Sequence, residues 1–348
     1  MPDRPTIVLL GHETTLQEAL APMRVRALLG EAALRGVQLV FARSVDCDLV
    51  AERIRGSEFV RGEWTSVDIA VPPLVVSAAP TIRPEYRAVE DWLRQRTRLL
   101  AFDSFDKHEM TALLAADPAL RPHLIPEEVV VAEGLEAQLA RWLAGGSVVV
   151  KRADGALGTG LFFLLREGDD VVVHKDAQSW RGTEAEAIAR VAAAIRGRLS
   201  YRTFLVQRFI DTRDTVGQPA TLRVDMARRP DGGWSFYRVT GRIAIGSKLV
   251  SNRAKGSAMV DVESFLSARG AEDVAAKVRE MEALASAIAN GLCRTPGLGD
   301  CYEFGMDIAV DQDLHFWFIE ANKRPLSVAA ELERLMEVMP YWLSLIAR

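Results

Sequence analysis

The chain reads as an α/β protein, and three stretches lead to that class. They are a strand–helix–strand alternation at its start, a glycine-rich turn between two strand-like runs near its middle, and an apolar hairpin near its end. With 348 residues, 49% of them hydrophobic and 26% charged, it can bury a large core divided into two or three subdomains. The expected units are an N-terminal α/β domain over 1–104, a small subdomain with the glycine-rich loop over 105–202, and a larger one with the hairpin over 203–348.

Residues 6–10 form an apolar β-like run, 23–35 an amphipathic helix stopped by Gly36, and 37–42 a second strand. Gly11 closes the first strand either as a turn glycine or at the rim of a ligand crevice, since open α/β sheets bind beyond their strand carboxyl ends. Strands at 73–77 and 99–102 flank a helix over 85–96. Asp106 is placed to cap a helix over 107–116, which Pro118 and Pro122 delimit. A helix over 134–144 precedes the glycine-loop strand, and 161–166 with 171–174 form a hairpin around Glu167-Gly168-Asp169-Asp170. Further helices are expected over 183–198, 262–267, 272–293 and 329–347. Trp317, between Phe316 and Phe318, is expected in the core.

Lys151-Arg152-Ala153-Asp154-Gly155-Ala156-Leu157-Gly158-Thr159-Gly160 sets a lysine at a strand end and glycines at 155, 158 and 160 before the next strand. Glycines let backbone N–H groups approach phosphate oxygens with no Cβ in the way, and lysine adds a compact positive charge. The loop joins strand to strand, unlike the strand-to-helix phosphate loops with Gly-x4-Gly-Lys-Ser/Thr or Gly-x-Gly-x-x-Gly spacing. By itself this pattern also fits a plain glycine-rich hairpin. Downstream, 302–310 and 315–322 flank the turn Asp311-Gln312-Asp313. A side-chain period of two puts Glu320 and Asn322 on one face, which Asp307 on the neighbouring strand can share. Two carboxylates and an amide, with no His or Cys, suit Mg²⁺. The alternative for this hairpin is a solvated acidic face.

From Asp106 to Pro325 the chain resembles the ATP-grasp superfamily, and within it the spore-coat-associated YheC/YheD proteins and the RimK-type glutamate ligases. The resemblance implies an ATP-grasp fold behind a Rossmann-like N-terminal domain. It makes Lys107 and Lys151 the two nucleotide lysines, with Gly155, Gly158 and Gly160 in the phosphate loop. Gln207, Arg208, Phe209 and Ile210 take the place of the hinge strand whose backbone contacts adenine. Arg223, Arg242 and Asn252 correspond to donors beside the reacting phosphate, and Glu320-Ala321-Asn322-Lys323-Arg324-Pro325 matches the closing Glu-x-Asn-x-x-Pro motif. Arg152 replaces a usual proline, Arg208 an acidic hinge residue, Thr221 the aspartate of an Asp-x-Arg strand, and Lys255-Gly256-Ser257 an Arg-Gly-Gly ending. These departures imply an active nucleotide site with an atypical acceptor pocket.

The expected cofactors are therefore ATP and Mg²⁺, and the expected reaction is carboxylate–amine ligation through an acyl phosphate. Its partners would be a small-molecule or peptide carboxylate and an amine. A kinase on the same scaffold and a nucleotide-binding coat or assembly protein without turnover remain open. The formal net charge of −4 argues against general nucleic-acid binding. Three cysteines (47, 293 and 301) without Cys-x-x-Cys spacing argue against a disulfide framework or zinc ribbon, and five histidines include no His-Glu-x-x-His pair. No segment approaches the roughly 20 apolar residues of a membrane span, and the opening apolar run is too brief for a secretory signal. The cytoplasm is the expected location.

Overall fold

The computed structural model describes residues 4–77, 83–101, 106–155, 160–176, 178–214, 216–244, 257–294, 301–323, 325 and 330–347. They form three sheets that follow one another along the chain. The first contains β1 (Thr6–Gly11), β2 (Gln38–Arg43), β3 (Cys47–Asp48), β4 (Arg53–Val60), β5 (Glu63–Ala70), β6 (Leu74–Ser77) and β7 (Arg98–Leu100). Helices α1 (Leu16–Ala19) and α2 (Pro22–Leu34) join β1 to β2, and α3 (Pro84–Arg94) joins β6 to β7. β2, β1, β6 and β7 are parallel neighbours in that order. Their apolar runs are nearly unbroken because both faces are covered: Ile7, Leu9 and Val76 pack to one side, Val8, Leu10 and Val75 to the other. The hairpin β4–β5, which apolar patterning does not reveal, turns on Arg61 and Gly62, both at positive φ.

The second sheet follows α4 (Lys107–Leu114). It contains β8 (Glu127–Val129), β9 (Val148–Arg152), β10 (Phe162–Glu167), β11 (Asp170–Lys175), β12 (Gln178–Gly182) and β13 (Phe204–Arg208). Helices α5 (Leu135–Ala144) and α6 (Glu184–Ile195) lie on one face, packed on Val148, Val150, Leu164 and Val206. Asp106 caps α4 and Thr183 caps α6, each in a reciprocal box with the glutamate three residues on. β13, expected to open the third unit at 203, instead pairs with β9 and β8 inside this sheet.

The third sheet has the order β16-β15-β14-β17-β18, from β14 (Ala220–Arg228), β15 (Trp234–Ile243), β16 (Ala258–Asp261), β17 (Glu303–Val310) and β18 (Phe316–Lys323). Helices α7 (Val262–Ala268) and α8 (Val274–Cys293) precede β17, and α9 (Glu331–Ile346) closes the chain. Trp317 is half-buried, not core: its neighbours Phe316 and Phe318 face inward, while its indole N–H donates to Asp311 at 2.7 Å. Among the described residues no helix is long and apolar enough to cross a membrane. Cys301 is buried, whereas Cys47 and Cys293 are only partly so.

A buried ionic network ties the first sheet's helices to the third sheet. Arg334 on α9 grips Glu303 at the start of β17 through two nitrogens (2.6 and 2.9 Å) and donates to Glu331 at 3.0 Å. Glu331 in turn accepts from Arg24 of α2 at 2.8 Å. Burial opposes the charge on Arg334, but Glu303 and Glu331 together outweigh it and push its pKa above the usual arginine value. Removing one member of a buried pair leaves an uncompensated charge. Glu303→Ala should therefore lower stability in urea denaturation by about 3–5 kcal/mol, whereas Leu34→Ala, on a side chain 85% exposed, should stay within about 0.5 kcal/mol. An unchanged midpoint for Glu303→Ala would show that the network does not hold the two units together.

Candidate nucleotide and metal site

The second and third sheets face each other across a cleft enclosing about 1050 Å³ of space open to solvent. Strand periodicity supplies its walls. On β9, Val148 and Val150 enter the core while Val149 and Lys151 face the cleft. On β17, Met306, Ile308 and Val310 are in the core while Asp307 and Ala309 face the cleft. β18 needs a further device. Phe316 and Phe318 are core residues, so unbroken alternation would send residue 320 inward as well. The register shifts opposite the step from Asp307 to Ile308, where Glu320 pairs with Asp307 and Phe318 with Ile308, leaving Ile319 as the extra residue. This bulge inverts the phase, sending Ala321 to the core and Ile319 and Glu320 to the cleft.

Asp307 is the electrostatic centre of that wall. Its Oδ1 accepts from Arg223 Nη1 at 3.1 Å and from Arg242 Nη1 at 3.3 Å. Burial pushes the Asp307 carboxyl up, against the pull of the two guanidinium groups. Arg223 is 6% exposed and is fixed from behind by Asp225, whose Oδ1 accepts from its Nε at 2.7 Å. Burial disfavours the Arg223 charge, yet Asp307 and Asp225 together push its pKa above the ordinary value. The guanidinium lies over Gly305, where an added Cβ would come within 1.9 Å of Nη2. Only glycine leaves it that room.

Lys107, in the first turn of α4, reaches across the cleft to Glu320 Oε2 at 2.9 Å and also donates to the Gly155 carbonyl. Burial raises the Glu320 carboxyl, but Lys107, with Asn322 and Lys151, more than offsets it and the net direction is down. Asn322 Nδ2 donates to Glu320 Oε1 at 3.2 Å, so Asp307, Glu320 and Asn322 lie on one face, as the spacing predicts. Lys151 is buried, and burial lowers its pKa to about 8 against the opposing charge of Glu127. Its Nζ donates to Gln207 Oε1 at 2.8 Å.

Gln207, Arg208, Phe209 and Ile210 all line the cleft. The amides of Arg208 and Phe209 are already donated to Pro126 O (3.0 Å) and Ser147 O (2.9 Å). Among the described residues, the Ile210 amide donates to no protein acceptor. Gly155 belongs to the turn after β9, and Gly160 takes a positive φ of 68°. Gly158 and Asn252 lie outside the described residues.

Three residues at the site escaped the sequence reading. Asp225 is two positions beyond Arg223 on one strand face, so an Arg-x-Asp spacing could have revealed it. Gly305 stands inside an apolar strand, where glycine marks a close approach. Glu127 left no signal: it sits on a three-residue strand, 80 residues from the Gln207 amide that donates to it at 3.1 Å.

Comparisons with known proteins agree with this architecture. Residues 96–339 match the family model described as YheC/D like ATP-grasp. Over 287 residues the chain is 26% identical to the endospore coat-associated protein YheD of Bacillus subtilis, covering 78% of this chain and 61% of that protein. The chain thus spans less than two thirds of that relative's length. Among solved structures, D-alanyl-alanine synthetase A from Vibrio cholerae superposes with a TM-score of 0.55 at 14% identity, covering 99% of this chain and 98% of the other. D-cycloserine synthetase DcsG gives 0.52 at 16% identity, with 99% of each chain covered. N5-carboxyaminoimidazole synthetase from Staphylococcus aureus complexed with ADP gives 0.54 at 9% identity, covering 97% and 77%. At such identities these likenesses concern the fold alone, which is ATP-grasp in architecture. With the family model spanning most of its length, the chain belongs to the YheC/D-like ATP-grasp family.

Proposed function

We propose that this chain is an ATP-dependent carboxylate–amine ligase that forms an amide or peptide bond through an acyl phosphate and releases ADP and phosphate. The observation that carries the reading is a single cleft with Lys107 and Lys151 on one wall and Asp307, Glu320 and Arg242 on the other, with Arg223 held behind Asp307. This pairs a cationic phosphate cradle with carboxylates suited to a divalent ion. Family membership supports the nucleotide part of the reading.

Lys107 and Lys151 would bind the ATP phosphates with the backbone of the loop containing Gly155, Gly158 and Gly160, and the Ile210 amide would meet the base. Asp307, Glu320 and Asn322 fit Mg²⁺ as a donor set, being hard oxygen donors on adjacent strands with Asp307 and Glu320 in register. Bound there, Mg²⁺ would neutralise negative charge on phosphate oxygens. The substrate carboxylate oxygen attacks the γ-phosphorus and the bond to ADP breaks. The amine nitrogen then attacks the acyl carbon, phosphate leaves, and the amine proton is released. Arg223 and Arg242, with Asn252 by family position, would stabilise charge developing at the transferred group and the tetrahedral centre. The chain's own substrates would be a small-molecule or peptide carboxylate and an amine acceptor.

ATP turnover assayed over pools of amino acids and peptides, with mass analysis of products, should release ADP and phosphate only when both a carboxylate and an amine are present. Hydroxylamine should then trap a hydroxamate. A phosphorylated hydroxyl product would identify a kinase instead, and nucleotide binding without ADP release an assembly protein.

Glu320→Gln should keep the fold, lose Mn²⁺ binding by electron paramagnetic resonance and reduce turnover by at least about 100-fold. Wild-type Mn²⁺ binding in the folded variant would remove Glu320 from the metal set. Gly305→Ala should push Arg223 off its seat and cost about 100-fold in kcat while ADP affinity is retained. A variant with normal kcat would show that Arg223 does no work on the reacting charge.

A further inference from the structure

From the cleft wall, four side chains form a chain that leads away from the cleft. Lys151 Nζ donates to Gln207 Oε1 at 2.8 Å, and Gln207 Nε2 donates to Glu127 Oε2 at 3.1 Å. Glu127 Oε1 lies 3.1 Å from His108 Nδ1 on α4. Every orientation is dictated chemically. An ammonium only donates and a carboxylate only accepts, so the amide oxygen must face Lys151, the amide nitrogen must face Glu127, and His108 Nδ1 must carry the hydrogen. Glu127 Oε2 also stands 3.8 Å from Lys151 Nζ. The side chains of Glu127 and Lys151 are 4% and 7% exposed, whereas that of His108 is 38% exposed. Glu127 is absent from the cleft lining, although Gln207, its direct cross-strand partner, is part of it.

We propose that Glu127 is a positioning residue of the nucleotide site, acting on Lys151 directly and through the Gln207 amide, with His108 closing the chain on the solvent side. The proposal rests on the reading that Lys151 binds nucleotide phosphate. A lysine buried among apolar strands loses its proton unless a carboxylate is near. The hinge residue that touches Lys151 is the neutral Gln207, so the negative charge comes from the next strand, β8. The charged groups around Lys151 are Glu127 from β8, Lys107 from α4 and Glu320 from β18. Burial and Lys107 push its pKa down, to about 8, while Glu127 and Glu320 oppose them. Neutralising Glu127 therefore moves Lys151 further down, and the neutral amine then prevails at a pH where the wild type still carries an ammonium. Phosphate prefers the ammonium, so affinity should fall as pH rises through the pKa of Lys151, and fall at a lower pH without Glu127.

The test is ADP affinity by calorimetry from pH 6.5 to 9.5 in four proteins; the nucleotide's own titration is common to all and cancels in comparison. Wild type should weaken above about pH 8. Glu127→Gln should weaken about one pH unit earlier, so that its ADP binding falls behind wild type between the two breaks and becomes roughly tenfold weaker above the wild-type break. The double swap Glu127→Gln with Gln207→Glu keeps both hydrogen bonds and moves the charge onto the residue that touches Lys151, and its break should return to the wild-type pH or higher. A Glu127→Gln profile that breaks where wild type does overturns the proposal. Should Glu127→Gln fail to fold, the swap decides: a break at the wild-type pH or above supports the proposal, and one displaced below it overturns it. Lys151→Met should bind ADP weakly at every pH. Wild-type affinity in Lys151→Met would instead overturn the nucleotide-site reading on which the proposal stands.

Discussion

The pairing of Asp307 with Arg223 is the constraint on which the site is built. Both side chains project from adjacent antiparallel strands at directly opposed positions, and Arg223 is almost without solvent. An ion pair taken out of water is stable only when further hydrogen bonds occupy the remaining donors and acceptors. Here Asp225 takes the Nε edge of Arg223 and Arg242 adds a second cation at Asp307. Gly305 removes the one atom that would collide with the guanidinium. Each of these residues is therefore explained by the same pair.

The second wall depends on a local break in regularity. β18 begins as an ordinary amphipathic strand, with Phe316 and Phe318 in the core, and only the bulge at Ile319 turns Glu320 toward Asp307. The register shift in β18 thus makes the carboxylate pair possible. Lys107 then spans the cleft to Glu320, so the helix after the first unit and the edge strand of the third sheet share one contact. The Arg24, Glu331, Arg334 and Glu303 network provides a comparable tie away from the cleft.

Charge in the second sheet is distributed less directly. The β13 residue beside Lys151 is an amide, and the carboxylate that favours the ammonium is one strand further away. An amide in that place relays orientation without carrying charge. The two functions are thereby divided between Gln207, which lines the cleft, and Glu127, which does not.

Much of the fold was written in local pattern. Apolar runs of period two marked the hairpin of Asp307 and Glu320, capping residues marked the starts of α4 and α6, and glycines marked the loop after Lys151. Those signals are short-ranged: a side chain's facing along a strand, a cap's hydrogen bond and a glycine's freedom all arise within a few residues. The hairpin β4–β5 and the membership of β13 in the second sheet were not legible, because polar strands leave little periodicity and pairing partners are chosen at long range. Nor were Glu127, the bulge at Ile319 and the seat of Arg223 over Gly305. Each is a contact between residues distant in sequence, whose charge or volume has meaning only once the sheets have brought them within a few ångströms. Composition and spacing determined the α/β class and pointed to Lys151, Asp307, Glu320 and Asn322, and the family resemblance added Lys107, Arg223 and Arg242. Tertiary structure decided which of them meet, because buried charges are tolerated only where the completed fold supplies their partners.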